Sequence, residues 1–358
     1  LKALRVIVIG GGRLGQFHAA KLAARPDVHF LGIVEPVAER RLELSRQGYP
    51  VFADRHEVPE AIQAAVVTAP TTVHGRIVCD LLSEGIDVLV EKPIASTTAE
   101  ARQMVALAHV RHRILQVGHI ERFNPVFAVA QQHATSLWLV EATRCGPFTG
   151  RSLDVGVVLD LMIHDLDLIL TLSKSFPAAI AASGRALLGR HEDVAEARIV
   201  FENGCTAVLH ASRVTRQPRR EMKIWSKGAI THLDFATGKV HIARIDSDIQ
   251  SGAFRAADLC ATELQQLQPK FHDIYLPEET IECEKRDALA AEVAEFLECV
   301  ETRRRPVVDA TDGLAALQSA EAIVQSITTG ESIYPLPATR VAGEVQPIPI
   351  PPRRAEAA

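Results

Sequence analysis

The chain has 358 residues, 47% of them hydrophobic and 23% charged, so it can bury a large core and exceeds the length at which a single core usually stops growing. A formal net charge of −5 removes any global electrostatic case for nucleic acid or an anionic membrane as partner, which leaves a small molecule. Six cysteines stand far apart without a C-x-x-C pair, and no apolar run suits a signal-peptide core or a membrane span, so reduced thiols and a cytoplasmic location are expected.

In the first 120 or so residues, short apolar runs alternate with helical patterns: Leu4 to Ile9, Phe30 to Val34, Val51-Phe52, Ala64 to Ala69, Asp87 to Val90 and Ile114 to Val117. Runs of this length without strict alternation suit strands buried on both faces, which predicts a doubly wound parallel sheet. Thr97-Thr98-Ala99-Glu100 reads as a capping box before a helix of about 101–111.

From about residue 123 the strands lengthen and follow one another, at Leu137 to Arg144, Ile180 to Arg185, Ala195 to Phe201, Thr206 to Arg213, Met222 to Ser226, Ile230 to Phe235 and Val240 to Ile245. Glu202-Asn203-Gly204 and Thr237-Gly238-Lys239 punctuate them as hairpin turns, which predicts a mostly antiparallel sheet. Helices are expected at about 156–172, 286–302 and 311–328. The proline-rich stretch after Tyr334 reads as an extended arm. The fold class is therefore α/β, with a dinucleotide-binding domain at 1–122, a second α/β domain at 123–334 and a tail at 335–358.

Gly10-Gly11-Gly12-Arg13-Leu14-Gly15 satisfies G-x-G-x-x-G between a strand and a helix. Gly10 permits the tight turn, Gly12 lets backbone N–H groups approach a pyrophosphate, and Gly15 lets helix and strand pack closely. The helix that opens at Arg13 and Leu14 presents its N-terminus to the anion. Glu35 closes the second strand, where an acid accepts hydrogen bonds from a ribose 2′-hydroxyl and repels a 2′-phosphate, favouring NAD over NADP. Arg40 and Arg41, a few residues on, are the opposing feature.

Pro70, Thr71 and His74 follow the fourth strand, and Glu91 and Lys92 end the fifth, both at the carboxyl edge where such sheets bind ligands. A lysine there can hydrogen-bond a substrate hydroxyl and stabilise the developing alkoxide. Asp160 and His164 lie four apart on an expected helix, so the carboxylate could orient an imidazole that takes an alcohol proton. The plain alternatives are a surface lysine, a helix cap and a core histidine. No third ligand at recognisable spacing joins Asp160 and His164, so no metal is expected.

The Gly10 to Gly15 turn, Pro70-Thr71 with His74, Glu91-Lys92-Pro93 and Asp160 to His164 together resemble the glucose-fructose oxidoreductase / inositol dehydrogenase / rhizopine catabolism (Gfo/Idh/MocA) family, over about residues 4 to 330. The resemblance implies an N-terminal Rossmann domain, a C-terminal α/β domain with a large open mixed sheet, and a nicotinamide cofactor between them. It further implies catalytic Lys92 and His164 with Asp160 beside them, and a homo-oligomer, dimer or tetramer, packed through the open sheets. Gln116 to Pro125, Val158 to Asp167 and Phe201 to Cys205 look like the branch of that family that oxidises the 3-hydroxyl of UDP-N-acetylglucosamine. That branch makes a 3-keto sugar nucleotide, which a pyridoxal-phosphate aminotransferase consumes on the route to 2,3-diamino-sugar lipid A.

For such a substrate, Arg122, Asn124, Arg144 and Arg213 are candidate contacts alongside Asp160 and His164, since arginine pairs with a diphosphate bidentately. They fit equally well as sheet-surface or interface charges. Glu35 is a departure, standing where many relatives carry aspartate. Another sugar or polyol activity of the family, or a non-catalytic sensor that holds the cofactor, stays open.

Overall fold

The computed structural model describes residues 3–150 and 152–334; the proline-rich stretch expected to form an arm lies outside them. Strands β1 (Leu4–Ile9), β2 (Val28–Val34), β3 (Val51–Phe52), β4 (Ala64–Val67), β5 (Asp87–Glu91) and β6 (Leu115–Gly118) form a six-stranded sheet in the order β3-β2-β1-β4-β5-β6. Every pairing is parallel. This is the Rossmann order, reversing direction between β1 and β4. Side chains on successive positions enter opposite layers. Ile7, Val67, Val88 and Val90 pack with Val78, Leu81, Leu82 and Met104 on one face. On the other, Val6, Val8, Val66 and Leu89 pack with Ala19 and Leu22.

That second layer is completed from far down the chain. Val293, Phe296, Leu297, Cys299 and Val300, on the helix Ala288–Thr302, belong to the same core as Val6 and Val8. A cut at residue 122 therefore does not separate two self-contained units. The helix Ala310–Thr329 also joins both halves, with Leu317 in the first core and Ala316, Ala320 and Ile323 in the second.

The second sheet has eight strands: β7 (Leu137–Cys145), β8 (Pro177–Arg185), β9 (Val194–Phe201), β10 (Thr206–Ser212), β11 (Arg219–Ser226), β12 (Ala229–Asp234), β13 (Lys239–Arg244) and β14 (Glu278–Glu282). Their order is β14-β13-β12-β11-β7-β10-β9-β8, antiparallel except between β7 and β10. One face packs on the helix Ile163–Ser173 through Ile163, Leu166 and Ile169.

Three local readings change. The helix after Thr97 starts at Thr98, and only half of the capping box forms: Thr97 Oγ accepts from Glu100 N–H at 3.2 Å, whereas the Glu100 carboxylate accepts from Ser96 N–H at 3.1 Å. The edge strand β14 was not foreseen, because its Glu-Glu-Thr-Ile-Glu sequence is a charged edge rather than an apolar run. Between β13 and β14 lie three short helices, Ser247–Ser251, Ala261–Leu267 and Phe271–Tyr275, where no element was expected.

Candidate active site

Of the four glycines of the turn, Gly10, Gly12 and Gly15 answer different demands. Gly10 sits at φ +107°, and a Cβ there would lie 2.6 Å from Ala69 N. A Cβ on Gly15 would fall 1.9 Å from the Gly10 carbonyl oxygen. Both are required by packing within the chain. In front of Gly12 nothing among the described residues lies within 4 Å, leaving the space a pyrophosphate needs. The helix Arg13–Ala23 begins there without a side-chain cap, leaving its first N–H groups for an anion. Arg13 and Leu14 turn their side chains outward, Arg13 over the Phe17 ring at 5.4 Å, so their contribution is backbone.

Glu35 is buried and clamps the turn. One carboxylate oxygen accepts from Gly11 N–H at 2.9 Å and the other from Val37 N–H at 3.0 Å, each keeping a lone pair for a ribose hydroxyl. Arg41 donates to the Glu35 carbonyl at 2.8 Å, and Arg40 stands 3.9 Å from the Glu35 carboxylate. The acid, and not a pair of free arginines, faces the turn. Thr68, absent from the sequence reading, donates to the Gly10 carbonyl at 2.8 Å.

Pro70 and Thr71 open a short 3-10 turn at the end of β4. His74 is no free ligand: its ring nitrogens face the Pro93 carbonyl at 3.0 Å and the Ala69 carbonyl at 2.8 Å, pinning the loops after β4 and β5 together. Burial lowers its pKa, against the opposing pull of the Ala69 and Pro93 carbonyls. Glu91 also points inward. It accepts from His18 Nε2 at 2.9 Å and from Lys92 N–H at 3.2 Å. Burial alone would raise its pKa, but the His18 bond and the His18 and Lys92 charges outweigh burial and hold it below the usual carboxylate value.

Glu292, from the returning helix, completes a cluster in which one atom each of His18, Glu91 and Glu292 lie within 4.8 Å of one another. The Glu292 oxygens are buried with no hydrogen-bond partner, and burial, with Glu91 and Glu295 nearby, raises its pKa well above the ordinary value. A neutral Glu292 leaves a single negative charge beneath the Lys92 backbone.

Lys92 itself reaches across to the second half. Its Nζ donates to the Asp160 carbonyl at 2.7 Å and lies 3.4 Å from the Asp160 carboxylate. Asp160 sits in a π-helical turn, Val158–Met162, that runs into the helix Ile163–Ser173. Such widened turns recur at functional sites, and here the turn coincides with the Lys92 contact. The expectation that Asp160 orients His164 is corrected: Asp160 engages Lys92, and His164 Nδ1 is buried without a partner.

His164 is half-buried, and its pKa falls well below the imidazole norm. Burial is the first cause, and the positive charges of Lys92, Arg144 and Arg220 act in the same direction. The ring is therefore neutral and able to accept a proton. His119, also unforeseen, is buried with neither nitrogen partnered, and burial lowers its pKa too.

The remaining candidates for substrate contact are committed elsewhere. Arg122 forms a fork with Asp167 at 2.6 and 2.8 Å. Arg144 bonds Asp165 at 2.8 Å and Glu121 at 2.9 Å. Arg213 pairs with Asp193 at 3.0 Å and donates to the carbonyls of Ser152, Val155 and Glu192. Asn124 caps the helix Pro125–His133 through Val126 N–H at 3.0 Å and donates to Glu121 at 3.0 Å. All three arginines are nearly solvent-free, so a substrate diphosphate would have to break ion pairs to reach them.

Residues 4–119 match the GFO/IDH/MocA oxidoreductase family in its NAD-binding Rossmann fold, and residues 129–231 match the C-terminal domain of the same family. The chain is 33% identical over 319 residues to the UDP-N-acetylglucosamine 3-dehydrogenase of Acidithiobacillus ferrooxidans, covering 88% of this chain and 95% of that one. A solved structure of the A. ferrooxidans UDP-N-acetylglucosamine 3-dehydrogenase superposes with a TM-score of 0.79 at 31% identity, covering 92% of this chain and 99% of that one. The scyllo-inositol 2-dehydrogenase (NAD(+)) of Bacillus subtilis is 24% identical, covering 91% of this chain and 95% of its own. No helix among the described residues is long and apolar enough to cross a membrane.

Proposed function

Because this chain belongs to the GFO/IDH/MocA family of oxidoreductases and carries its NAD-binding Rossmann fold, we propose that it oxidises the 3-hydroxyl of UDP-N-acetylglucosamine to the 3-keto sugar nucleotide. The observation that carries the reading is the 33% identity to a UDP-N-acetylglucosamine 3-dehydrogenase along nearly the whole of both chains.

The residues fit the cofactor. The open face of Gly12 and the uncapped helix at Arg13 would hold the pyrophosphate, Glu35 a ribose hydroxyl, and Pro70, Thr71 and Lys92 would border the nicotinamide end. Bound NAD supplies the hydride acceptor. The chain handles the proton and the charge. Lys92, held at Asp160, donates a hydrogen bond to the reacting oxygen and stabilises the negative charge that grows on it. His164, neutral in its surroundings, accepts the hydroxyl proton. Asp160 positions Lys92. In the same reading the protein works as a homo-oligomer in the cytoplasm, and a pyridoxal-phosphate aminotransferase consumes its ketone.

The test is to incubate the purified protein and NAD with UDP-N-acetylglucosamine, scyllo-inositol and myo-inositol in separate arms, with an aminotransferase and amino donor drawing off the ketone. Reduced nicotinamide is expected to accumulate with the sugar nucleotide. Accumulation with an inositol alone would overturn the substrate assignment in favour of a polyol dehydrogenase.

A further inference from the structure

With Arg122, Arg144 and Arg213 spent on internal carboxylates and carbonyls, a substrate diphosphate needs another cation. Strand pairing supplies one. Arg220 on β11 is the direct partner of Arg144 on β7, and opposed residues of an antiparallel pair project from the same face. That face is fixed independently. Met222 and Ile224, two and four positions beyond Arg220, lie in the core beneath the helix Ile163–Ser173, as do Val140 and Ala142 on β7. Arg220 therefore leaves the sheet on the side of Asp165 and His164, at the rim where the core ends.

Two further facts set Arg220 apart. It is exposed, and among the described residues no carboxylate lies within ion-pairing distance of it, whereas its neighbour Arg219 is taken up by Glu221 at 2.9 Å. Its charge is nevertheless felt at His164 and Asp165, together with that of Lys92 at His164. The mouth of the site thus carries an uncompensated guanidinium beside the proton acceptor. In a pyranose, the carbon bearing the diphosphate lies two ring positions from the 3-carbon, so a ring whose 3-hydroxyl meets His164 keeps its diphosphate within one ring's width of that carbon, close enough for the rim to receive it.

We propose that Arg220 anchors the diphosphate of a nucleoside-diphosphate sugar and so selects sugar nucleotides over free sugars and polyols. The proposal rests on the reading of the site given above. An arriving diphosphate would also neutralise one of the charges that keep His164 from holding a proton, coupling substrate binding to the strength of the base.

The experiment measures UDP binding to the full-length, NAD-loaded protein by calorimetry, alongside steady-state turnover of UDP-N-acetylglucosamine. Arg220→Ala is expected to weaken UDP binding about 10- to 100-fold, the range of a lost charge-assisted fork, and to raise KM similarly with kcat within a few-fold. Arg220→Lys restores part of the loss, because it keeps the charge but not the fork. Arg219→Ala, one residue away on the opposite face, leaves UDP binding unchanged. Equal UDP affinity in Arg220→Ala and wild type, or no UDP binding by the wild type, overturns the anchor. UDP binding that depends on Arg220 without turnover of UDP-N-acetylglucosamine leaves the anchor standing and overturns the reaction assigned above.

Discussion

The glycine turn and the His164 pocket work by opposite means. The turn is shaped by backbone: Gly10 and Gly15 are demanded by backbone atoms less than 3 Å away, and its acid is oriented by loop N–H groups. Its one buried charge, Glu35, is itself held by N–H groups. The His164 pocket is shaped by charge, with the buried Arg144 tied to Asp165 and Glu121 and a neutral imidazole under the influence of Lys92, Arg144 and Arg220. Backbone geometry is readable from a short motif. Charge pairing is assembled from residues far apart, and only the folded chain shows which charges are left over.

The comparison breaks most visibly at Lys92. Lys92→Met removes the cation proposed to stabilise the reacting oxygen but not the cofactor turn, so kcat is expected to fall about 10²- to 10⁴-fold with NAD affinity nearly unchanged. Turnover within a few-fold of wild type would make Lys92 a structural bridge to Asp160. Next is Arg144→Ala, which strands Asp165 and Glu121 in the interior. Destabilisation of about 3–5 kcal/mol in chemical denaturation is expected. A variant of normal stability with a raised KM would return Arg144 to the substrate.

Gly12→Ala sharpens the other side. The added methyl meets no protein atom, so stability should shift by no more than about 1 kcal/mol while NAD affinity drops. Unchanged NAD affinity would leave the open space unexplained.

The smallest effect concerns Glu292. Its folded pKa is raised, so the native state holds a proton that the unfolded chain releases above its ordinary carboxyl value near 4.5. Stability contributed by that proton is complete below this value and is lost as pH rises through the folded pKa. Glu292→Gln lacks this slope. Its stability relative to wild type should therefore increase with pH, and parallel curves from pH 4.5 upward would show that Glu292 is ionised in the fold.

The parallel first sheet, the family and the cofactor were legible because each rests on local periodicity or on short motifs. The roles of the arginines were not. Asp167 lies 45 residues from Arg122, and Asp165 lies 21 from Arg144, so nothing local marks either arginine as already paired. Arg220 stands in an exposed run with Arg216 and Arg219 that reads as ordinary surface; its meaning comes from its register opposite Arg144. Four-residue spacing placed Asp160 and His164 on one face, but a π-helical turn intervenes and sends Asp160 to Lys92. The inward turn of Glu91 was hidden because its partners, His18 and Glu292, come from opposite ends of the sequence.

The returning helix Ala288–Thr302 has a consequence for how the protein is made. Until that segment leaves the ribosome, one side of the nucleotide-binding sheet is only partly covered, by Ala19, Leu22 and Leu44, and lacks the packing of Val293, Phe296, Leu297, Cys299 and Val300. The portion synthesised first is thus among the last to be finished, and a nascent chain stalled before Ala288 should be a ready client for chaperones.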